Sequence, residues 1–282
     1  MRIRFWGVRG TIPVPGPDTI RVGGNTSCID IYTNDQQLII LDAGSGIRLL
    51  GQTLQKEYPE RILGNILISH THWDHIQGFP FFSPIWGRQN RFVLVGQKRV
   101  GKRLEEILAD QFIEPYLPYK FQTLPADIIV KEVEPGETIV IGDNTTVQVA
   151  QLNHPGGCLG FRIETEGSVF AYCSDIGHFD DRFDENVLRL AQGADLLVHD
   201  AHFASMEERN MFSDWGHSAW QEATEVALEA QVKCLALFHF SPNLNDDQVE
   251  AILKKSRQIF PRTILAREGL ELNLPLGDVL PD

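Results

Sequence analysis

The stretch "ISHTHWDHIQG" (Ile68–Gly78) places three histidines and one aspartate within six consecutive positions, directly after an apolar run. The whole chain has only nine histidines, so three in one short segment indicate a site. In an extended segment the side chains of His70 and His72 point the same way, and two imidazoles placed like this can grip one metal ion. Asp74 and His75 come after the turn, where they are available to a second ion.

Three further candidate ligands stand where other apolar runs give way to turn residues. His154 follows "TTVQVAQLN", Asp175 follows "VFAYCS" and His239 follows "CLALF". A lone histidine in such a place is more often a structural residue than a ligand. The recurrence of one arrangement at several predicted strand ends instead favours a shared metal site, because strand ends are rigid platforms on which distant groups converge.

The pattern "HTHWDH" resembles the HxHxDH motif of the metallo-β-lactamase superfamily, and the three later residues match ligand positions of its dinuclear hydrolases. The resemblance implies two divalent ions, a hydroxide between them as nucleophile, and an αββα sandwich. It also implies that Asp42, in "LDAGSGI", supports the ligand loop from behind. Nitrogen and oxygen ligands without cysteine favour Zn²⁺, with Mn²⁺ or Fe²⁺ as alternatives. By position, one ion would be held by His70, His72 and His154, the other by Asp74, His75 and His239, with Asp175 bridging them.

The order of apolar runs independently predicts an α/β fold in which two packed sheets are covered by helices, a four-layer sandwich. Helices are expected near Ile47, over Arg99–Phe112, from Ser218 with Gln221 in a capping box, and over Asp246–Phe260. The chain shows no repeat, linker or low-complexity segment. We therefore expect residues 1–282 to form a single hydrolase domain.

Two later motifs, "LLVHDAHF" and "DWGHSAW", resemble the paired motifs of the superfamily's phosphodiesterase-like branch. That branch includes tRNA 3′-processing endonucleases and cyclic-nucleotide phosphodiesterases. The resemblance implies that His217 acts as general acid with Asp200 as its partner, and that Asp74 belongs with them among the catalytic residues. The alternative for His217 is that it only precedes a helix cap.

Charge and spacing narrow the expected substrate. The net charge of −13 argues against an extended RNA or DNA footprint, since it repels phosphates. Only 21 positions separate His154 from Asp175, which leaves no room for the flexible arm of the endonucleases. We expect a small, nucleotide-like phosphodiester, cyclic nucleotides included. A thioester hydrolase like glyoxalase II, an RNA 3′-processing endonuclease and a non-catalytic binding module stay open as alternatives.

Several further expectations follow from composition and local pattern. Four scattered cysteines, without a signal peptide or a membrane span, suggest a cytoplasmic protein with reduced, buried thiols. No membrane partner is expected, and homodimerisation stays open. The loop from Tyr116 to Phe121, with Tyr119 between them, is either a base-stacking lid over the substrate or an interface. Arg9 or Arg21 is a candidate phosphate contact.

Overall fold

Two seven-stranded mixed sheets form the centre of the structure, a computed structural model that describes residues 1–277. The last five residues of the predicted 1–282 domain lie outside the described residues. The strands are β1 (Arg2–Gly7), β2 (Cys28–Tyr32), β3 (Leu38–Leu41), β4 (Leu63–Leu67), β5 (Arg91–Gln97), β6 (Asp127–Val133), β7 (Thr138–Ile141), β8 (Thr145–Leu152), β9 (Cys158–Thr165), β10 (Ser168–Cys173), β11 (Leu196–Asp200), β12 (Leu235–Phe238), β13 (Thr263–Leu265) and β14 (Glu271–Asn273). The helices are α1 (Ile47–Glu57), α2 (Trp73–Ile76), α3 (Leu104–Ala109), α4 (Glu185–Ala191), α5 (Met206–Met211), α6 (Trp220–Glu229) and α7 (Asp246–Ile259).

The sheets and helices stack in four layers. One sheet has the order β14-β1-β2-β3-β4-β5-β6 and the other β13-β12-β11-β10-β9-β8-β7. Helices α1 and α3 cover the first sheet, whereas α4, α6 and α7 cover the second. Apolar side chains of both sheets, such as Ile31 and Phe161, share one buried core. The predicted αββα sandwich is therefore confirmed.

Within each sheet, the strands that precede the predicted site residues run in the same direction. β3 is parallel to β4, and β10, β11 and β12 are parallel to one another. β8 runs the same way as β10, because each is antiparallel to β9 between them. The carboxyl ends of β8, β10, β11 and β12 therefore lie along one edge of their sheet, and the loops that leave this edge form a common rim.

Helix boundaries differ from the prediction in two places. The helix expected over Arg99–Phe112 is limited to α3, because Gly101 has a φ of 97° and Val100 is fully exposed. The capping box expected at Ser218 is wrong by one position. The N–H of Ala219 donates to Glu222, and the Ser218 hydroxyl donates to the carbonyl of Ile176 instead.

All four cysteines are buried and carry free thiols, as predicted. Burial raises the pKa of the Cys28 thiol well above its usual value, so the thiol stays protonated and unreactive. Within residues 1–277, no helix is long and apolar enough to cross a membrane.

Candidate metal centre

The ligand loop leaves the end of β4 and enters α2 within a few residues. The Ser69 N–H donates to Asp42 Oδ1 at 2.7 Å, which fixes the backbone just before His70. His72 is the residue before α2, in an extended conformation, while Asp74 and His75 lie inside that helix. The change from strand to helix directs the first two histidines and the later acid–histidine pair to different positions along the rim.

His70, His72 and His154 form one cluster, in which each contributes a ring nitrogen within 4.8 Å of the others. His154 Nδ1 donates to the Gly216 carbonyl at 2.8 Å, so its Nε2 carries the lone pair and lies 3.1 Å from His72 Nδ1. His70 Nδ1 lies 3.1 Å from the Ser69 hydroxyl, which donates to Asp42. These outer hydrogen bonds leave the lone pair of Nε2 on His70 and His154 free to face a cation.

Asp74, His75 and His239 form the second cluster. Asp74 Oδ2 lies 3.1 Å from His239 Nε2 and 3.3 Å from His75 Nε2, and it accepts the Thr11 N–H at 2.7 Å. His239 directly follows β12 with a φ of 59°, an uncommon conformation for a side chain with a Cβ and one that clusters at functional sites. Gly10 allows this approach, because a Cβ there would lie 2.5 Å from the His239 ring.

Asp175 lies between the two clusters. Its Oδ1 is 3.1 Å from His75 Nε2, and its Oδ2 is 3.5 Å from His239 Nε2, 3.8 Å from His70 Nε2 and 3.9 Å from His154 Nε2. Burial opposes ionisation of this carboxyl, but the surrounding histidines hold its pKa well below the usual range. The structure thus brings all seven predicted ligands together, with Asp175 in the central position.

Asp42 lies behind the second cluster, as the resemblance implied. It directly follows β3 with a φ of 60° and is fully buried. Its Oδ2 accepts from His75 Nδ1 at 2.8 Å, from the Ser69 hydroxyl at 2.9 Å and from the Tyr172 hydroxyl at 2.7 Å. Because His75 Nδ1 carries a hydrogen bonded to Asp42, Nε2 is the ring atom that faces the carboxylates of Asp74 and Asp175, where it can hold a proton or bind a cation.

The donor set fits divalent cations. A lone pair on His75 Nε2 facing two carboxylate oxygens is stable only with positive charge between them. Burial alone would lower the pKa of His75, yet Asp175, Asp74 and Asp42 together raise it well above its usual value, so a proton satisfies the acids here. His70 Nε2 is buried without any hydrogen-bond partner among residues 1–277. Imidazole and carboxylate ligands in this number suit a transition ion such as Zn²⁺.

His217 and Asp200 form a pair at the edge of this centre. His217 Nδ1 lies 2.7 Å from Asp200 Oδ2 and 3.9 Å from Asp175 Oδ2. Backbone N–H groups of His202 and Ile176 donate to the Asp200 carboxylate at 2.8 and 3.3 Å. Burial lowers the pKa of His217 well below its usual value, and the neighbouring His202 adds to this. Burial likewise raises the pKa of Asp200, so charge on the pair is disfavoured until an anion or cation arrives.

Of the two candidate phosphate contacts, Arg9 is wrong. Arg9 is fully buried and turns away from the rim, donating to the Leu244 carbonyl at 2.6 Å, so it is not available to a phosphate. Arg21 forms ion pairs with Asp247 and Glu250 of α7 instead.

The aromatic loop is divided between core and surface. Phe121 is buried, with its ring centroid 6.2 Å from that of Phe79 and 5.7 Å from that of Phe112. Phe121 is therefore a core residue rather than part of a lid. Tyr116 and Tyr119 are exposed, so they alone of the three can meet a substrate or a partner.

His202 is a site neighbour to which the sequence assigned no definite role. Its ring stacks on that of His217, with centroids 4.4 Å apart and planes 15° from parallel. Its Nδ1 lies 3.2 Å from the His239 carbonyl, which links it to the second cluster. The signal was present in "HDAHF", because a histidine two residues after Asp200 leaves the same strand end.

The chain is similar to known proteins over most of its length. Residues 37–240 match the family described as the beta-lactamase superfamily domain. Ribonuclease Z of Bacteroides thetaiotaomicron is 27% identical over 291 residues, covering 83% of this chain and 85% of the relative. The structure of human tRNase Z, short form, superimposes with a TM-score of 0.70 at 19% identity, covering 98% of this chain and 100% of that one. A diphosphatase of the PhnP family gives a TM-score of 0.70 at 18% identity, covering 98% of each chain.

Proposed function

The chain belongs to the metallo-β-lactamase superfamily, in its phosphodiesterase-like branch, and is a metal-dependent hydrolase; from this premise we propose that it cleaves small, nucleotide-like phosphodiesters. The observation that carries the proposal is the 2.7 Å contact between His217 and Asp200 beside seven clustered ligands. We propose two Zn²⁺ ions as the native metals, with Mn²⁺ or Fe²⁺ as alternatives. When bound, such a pair polarises the phosphoryl group and lowers the pKa of a water molecule.

The carboxylates of the centre explain why metal loading and substrate binding belong together. Asp74, Asp175 and Asp42 are buried at one end of the sheets, and their negative field would repel an anionic diester. A proton on His75 offsets part of that negative charge when no cation is bound. Divalent cations held by the two clusters would reverse the local field, so we expect a phosphodiester to bind only to the metal-loaded protein.

His217 is placed to move a proton to the leaving oxygen. Asp200 accepts from Nδ1, which orients the ring and leaves Nε2 for the substrate. Although burial lowers the pKa of His217, a bound anionic diester raises it, because opposite charge favours the imidazolium. The proton is therefore taken up with the substrate and donated from Nε2 as the P–O bond breaks.

The test compares two leaving groups. 4-Nitrophenolate is stable without a proton, whereas the alkoxide released from a dinucleotide or a cyclic nucleotide is not. Replacing His217 by alanine should lower kcat for the alkoxide substrate by about 10²–10⁴-fold, and for bis(4-nitrophenyl) phosphate by much less. Metal content, measured by mass spectrometry, should be retained. Equal losses on both substrates would show that His217 only shapes the site.

Cleavage of tRNA precursors is a second candidate, favoured by the similarity to proteins named ribonuclease Z. Against it, β9 and β10 with their short turn fill the interval between His154 and Asp175, and the chain carries a net charge of −13. We expect turnover of a tRNA precursor to be at least about a hundredfold below that of a dinucleotide at physiological salt. Faster cleavage of the precursor would reverse the order of the two candidates. Hydrolysis of a glutathione thioester alone would exclude both.

A further inference from the structure

Among residues 1–277, six residues other than glycine have a positive φ, and three of them lie at the metal centre. Asp42 and His239 are two of the three, and both already have a role there, as outer partner and as candidate ligand. The third is Thr11, with a φ of 68°. The other three occupy ordinary turns, namely the β2–β3 turn (Gln36), the β9–β10 turn (Glu166) and the turn after α6 (Gln231). Strained backbone clusters at functional sites, so the position of Thr11 indicates a role for it as well.

Thr11 is the central residue of a three-residue turn that closes beside the second ligand cluster. The Ile12 N–H donates to the Gly10 carbonyl at 2.8 Å, and the positive φ of Thr11 makes this the rare, strained form of the γ-turn. A β-branched side chain adds to the strain, because it crowds the backbone in the left-handed region. The Gly10 N–H donates to the Phe240 carbonyl at 3.0 Å, which ties the turn to the segment after β12. The surrounding fold therefore imposes this conformation on Thr11.

The backbone of Thr11 has a partner at the metal centre, but its hydroxyl has none. The Thr11 N–H donates to Asp74 Oδ2 at 2.7 Å, and this is the oxygen that faces His75 and His239. That contact needs only the N–H, which a glycine would present without strain. What threonine adds is a hydroxyl, and among residues 1–277 this hydroxyl has no hydrogen-bond partner. Thr11 is exposed, so the hydroxyl is available to a ligand.

We propose that Thr11 contacts the substrate, with its hydroxyl donating a hydrogen bond to a phosphoryl oxygen while its N–H holds Asp74. The inference rests on the proposed function and adds a residue that binds the scissile phosphate. Covalent geometry keeps a threonine Oγ within about 4 Å of its own backbone nitrogen, so the Thr11 hydroxyl lies within about 7 Å of Asp74 Oδ2. A phosphate group held at the second cluster is therefore within reach of the hydroxyl. A donor fixed in place by the fold meets a charged oxygen without having to be ordered first.

The experiment separates the hydroxyl from the shape of the side chain. Thr11→Val keeps the branched shape and removes the hydroxyl, whereas Thr11→Ser keeps the hydroxyl. With metal-loaded full-length protein and bis(4-nitrophenyl) phosphate, kcat/KM should fall about tenfold or more in Thr11→Val, and Thr11→Ser should recover most of it. The metal content should be the same in both variants as in the wild type. Thr138→Val, at an exposed position on β7, is the matched control.

Three results would overturn the proposal. An unchanged kcat/KM in Thr11→Val would show that the hydroxyl does not meet the substrate. An equal loss in Thr11→Ser would assign the effect to the shape of the side chain. Loss of metal from Thr11→Val would show that the side chain acts through the ligand Asp74 and not on the substrate.

Thr11→Gly gives a second readout, because it keeps the N–H and removes both the side chain and the strain. We expect kcat/KM to fall as far as in Thr11→Val, while the melting temperature does not fall. Full activity, or a lower melting temperature, would show that the side chain serves only the fold and would overturn the proposal. Gln36→Gly, at a left-handed position in the β2–β3 turn, is the control for the backbone change and should leave kcat/KM as it is.

Binding of inorganic phosphate separates this proposal from the proposed function. If the metal-loaded wild-type protein hydrolyses no phosphodiester, the reaction assignment fails, and calorimetric titration with inorganic phosphate then decides about Thr11. Binding that weakens about tenfold in Thr11→Val but not in Thr138→Val supports the contact. Equal binding by the two variants, or no binding by the wild type, overturns it.

Discussion

The candidate metal centre and the aromatic surface around Trp73 are adjacent in the sequence but are built in opposite ways. The metal centre stands on the ends of buried strands, and outer partners such as Asp42 and the Gly216 carbonyl fix the orientation of its histidines. The aromatic surface is formed by the one-turn helix α2 and by loops, and Trp73, Phe81 and Tyr116 are exposed there. The difference is that partners inside the fold fix the candidate ligands, whereas the exposed aromatic side chains can adjust.

The largest effect is expected from Asp175→Asn. The substitution removes the central negative charge between the two ligand clusters and places an amide N–H₂ or a weaker carbonyl there. We expect phosphodiesterase activity to fall by at least about a thousandfold, with metal loss. The checks are elemental analysis and turnover of bis(4-nitrophenyl) phosphate. Retention of both metal and activity would contradict the prediction, because it would show that the metal centre does not depend on the Asp175 carboxylate.

The stability of the protein is expected to depend on pH through His199, a buried histidine on β11. His199 is fully buried, and burial lowers its pKa to about 4, against an ordinary value of 6.5. Above pH 6.5 the imidazole is neutral in both the folded and the unfolded protein, and the full stability is present. As the pH falls from 6.5 towards 4, the unfolded chain takes up a proton that the folded protein does not, so the folded state loses stability. We expect the free energy of unfolding to fall by about 3 kcal/mol over this range from His199 alone.

This measurement uses protein from which a chelator has removed the metal, since metal binding has its own pH dependence. Denaturant unfolding at several pH values should show a shallower dependence in His199→Asn than in the wild type. Equal slopes would mean that His199 keeps an ordinary pKa in the folded protein. Phe121→Ala should leave the slope as it is, because it removes no ionisable group.

A smaller effect is expected from Asp42→Asn, which tests the outer partners of the centre. An asparagine N–H₂ would oppose the hydrogen on His75 Nδ1 and the hydroxyls of Ser69 and Tyr172. The resulting loss of orientation should weaken metal affinity by about 10–100-fold. Competition with a chromogenic chelator measures it. Tyr172→Phe, which removes only one of the donors, should cost less, and the reverse order would contradict the assignment.

The smallest effect on stability is expected at the exposed side chain of Tyr116. Tyr116 is 76% exposed, so Tyr116→Ala should change the free energy of unfolding by less than about 0.5 kcal/mol. Phe121→Ala, five positions later in the buried cluster with Phe79 and Phe112, should cost about 3 kcal/mol or more. Thermal or denaturant unfolding separates the two. Similar losses would show that the tyrosine belongs to the core.

Local patterns predicted the strands better than they predicted helix ends. Strands β7 and β8 follow apolar alternation that is visible in the chain, and His154, Asp175 and His239 stand where such runs end. The prediction of a helix over Arg99–Phe112 begins too early, because its apolar spacing includes residues on both sides of Gly101. The positive φ of Gly101 is not helical, so the helix begins only after it. Spacing alone does not report which member of such a series is buried.

The sequence by itself determined the layered α/β fold and the candidate ligands, because strand periodicity and the residue types that bind metals are both local properties. Only the tertiary structure decided that Asp175 lies between the two clusters, that Arg9 turns into the core, and that Gln111 is buried without a partner. Those facts depend on which strand ends meet at the common rim and which loops pack over them. They arise from contacts between residues far apart in the chain, which no local pattern records.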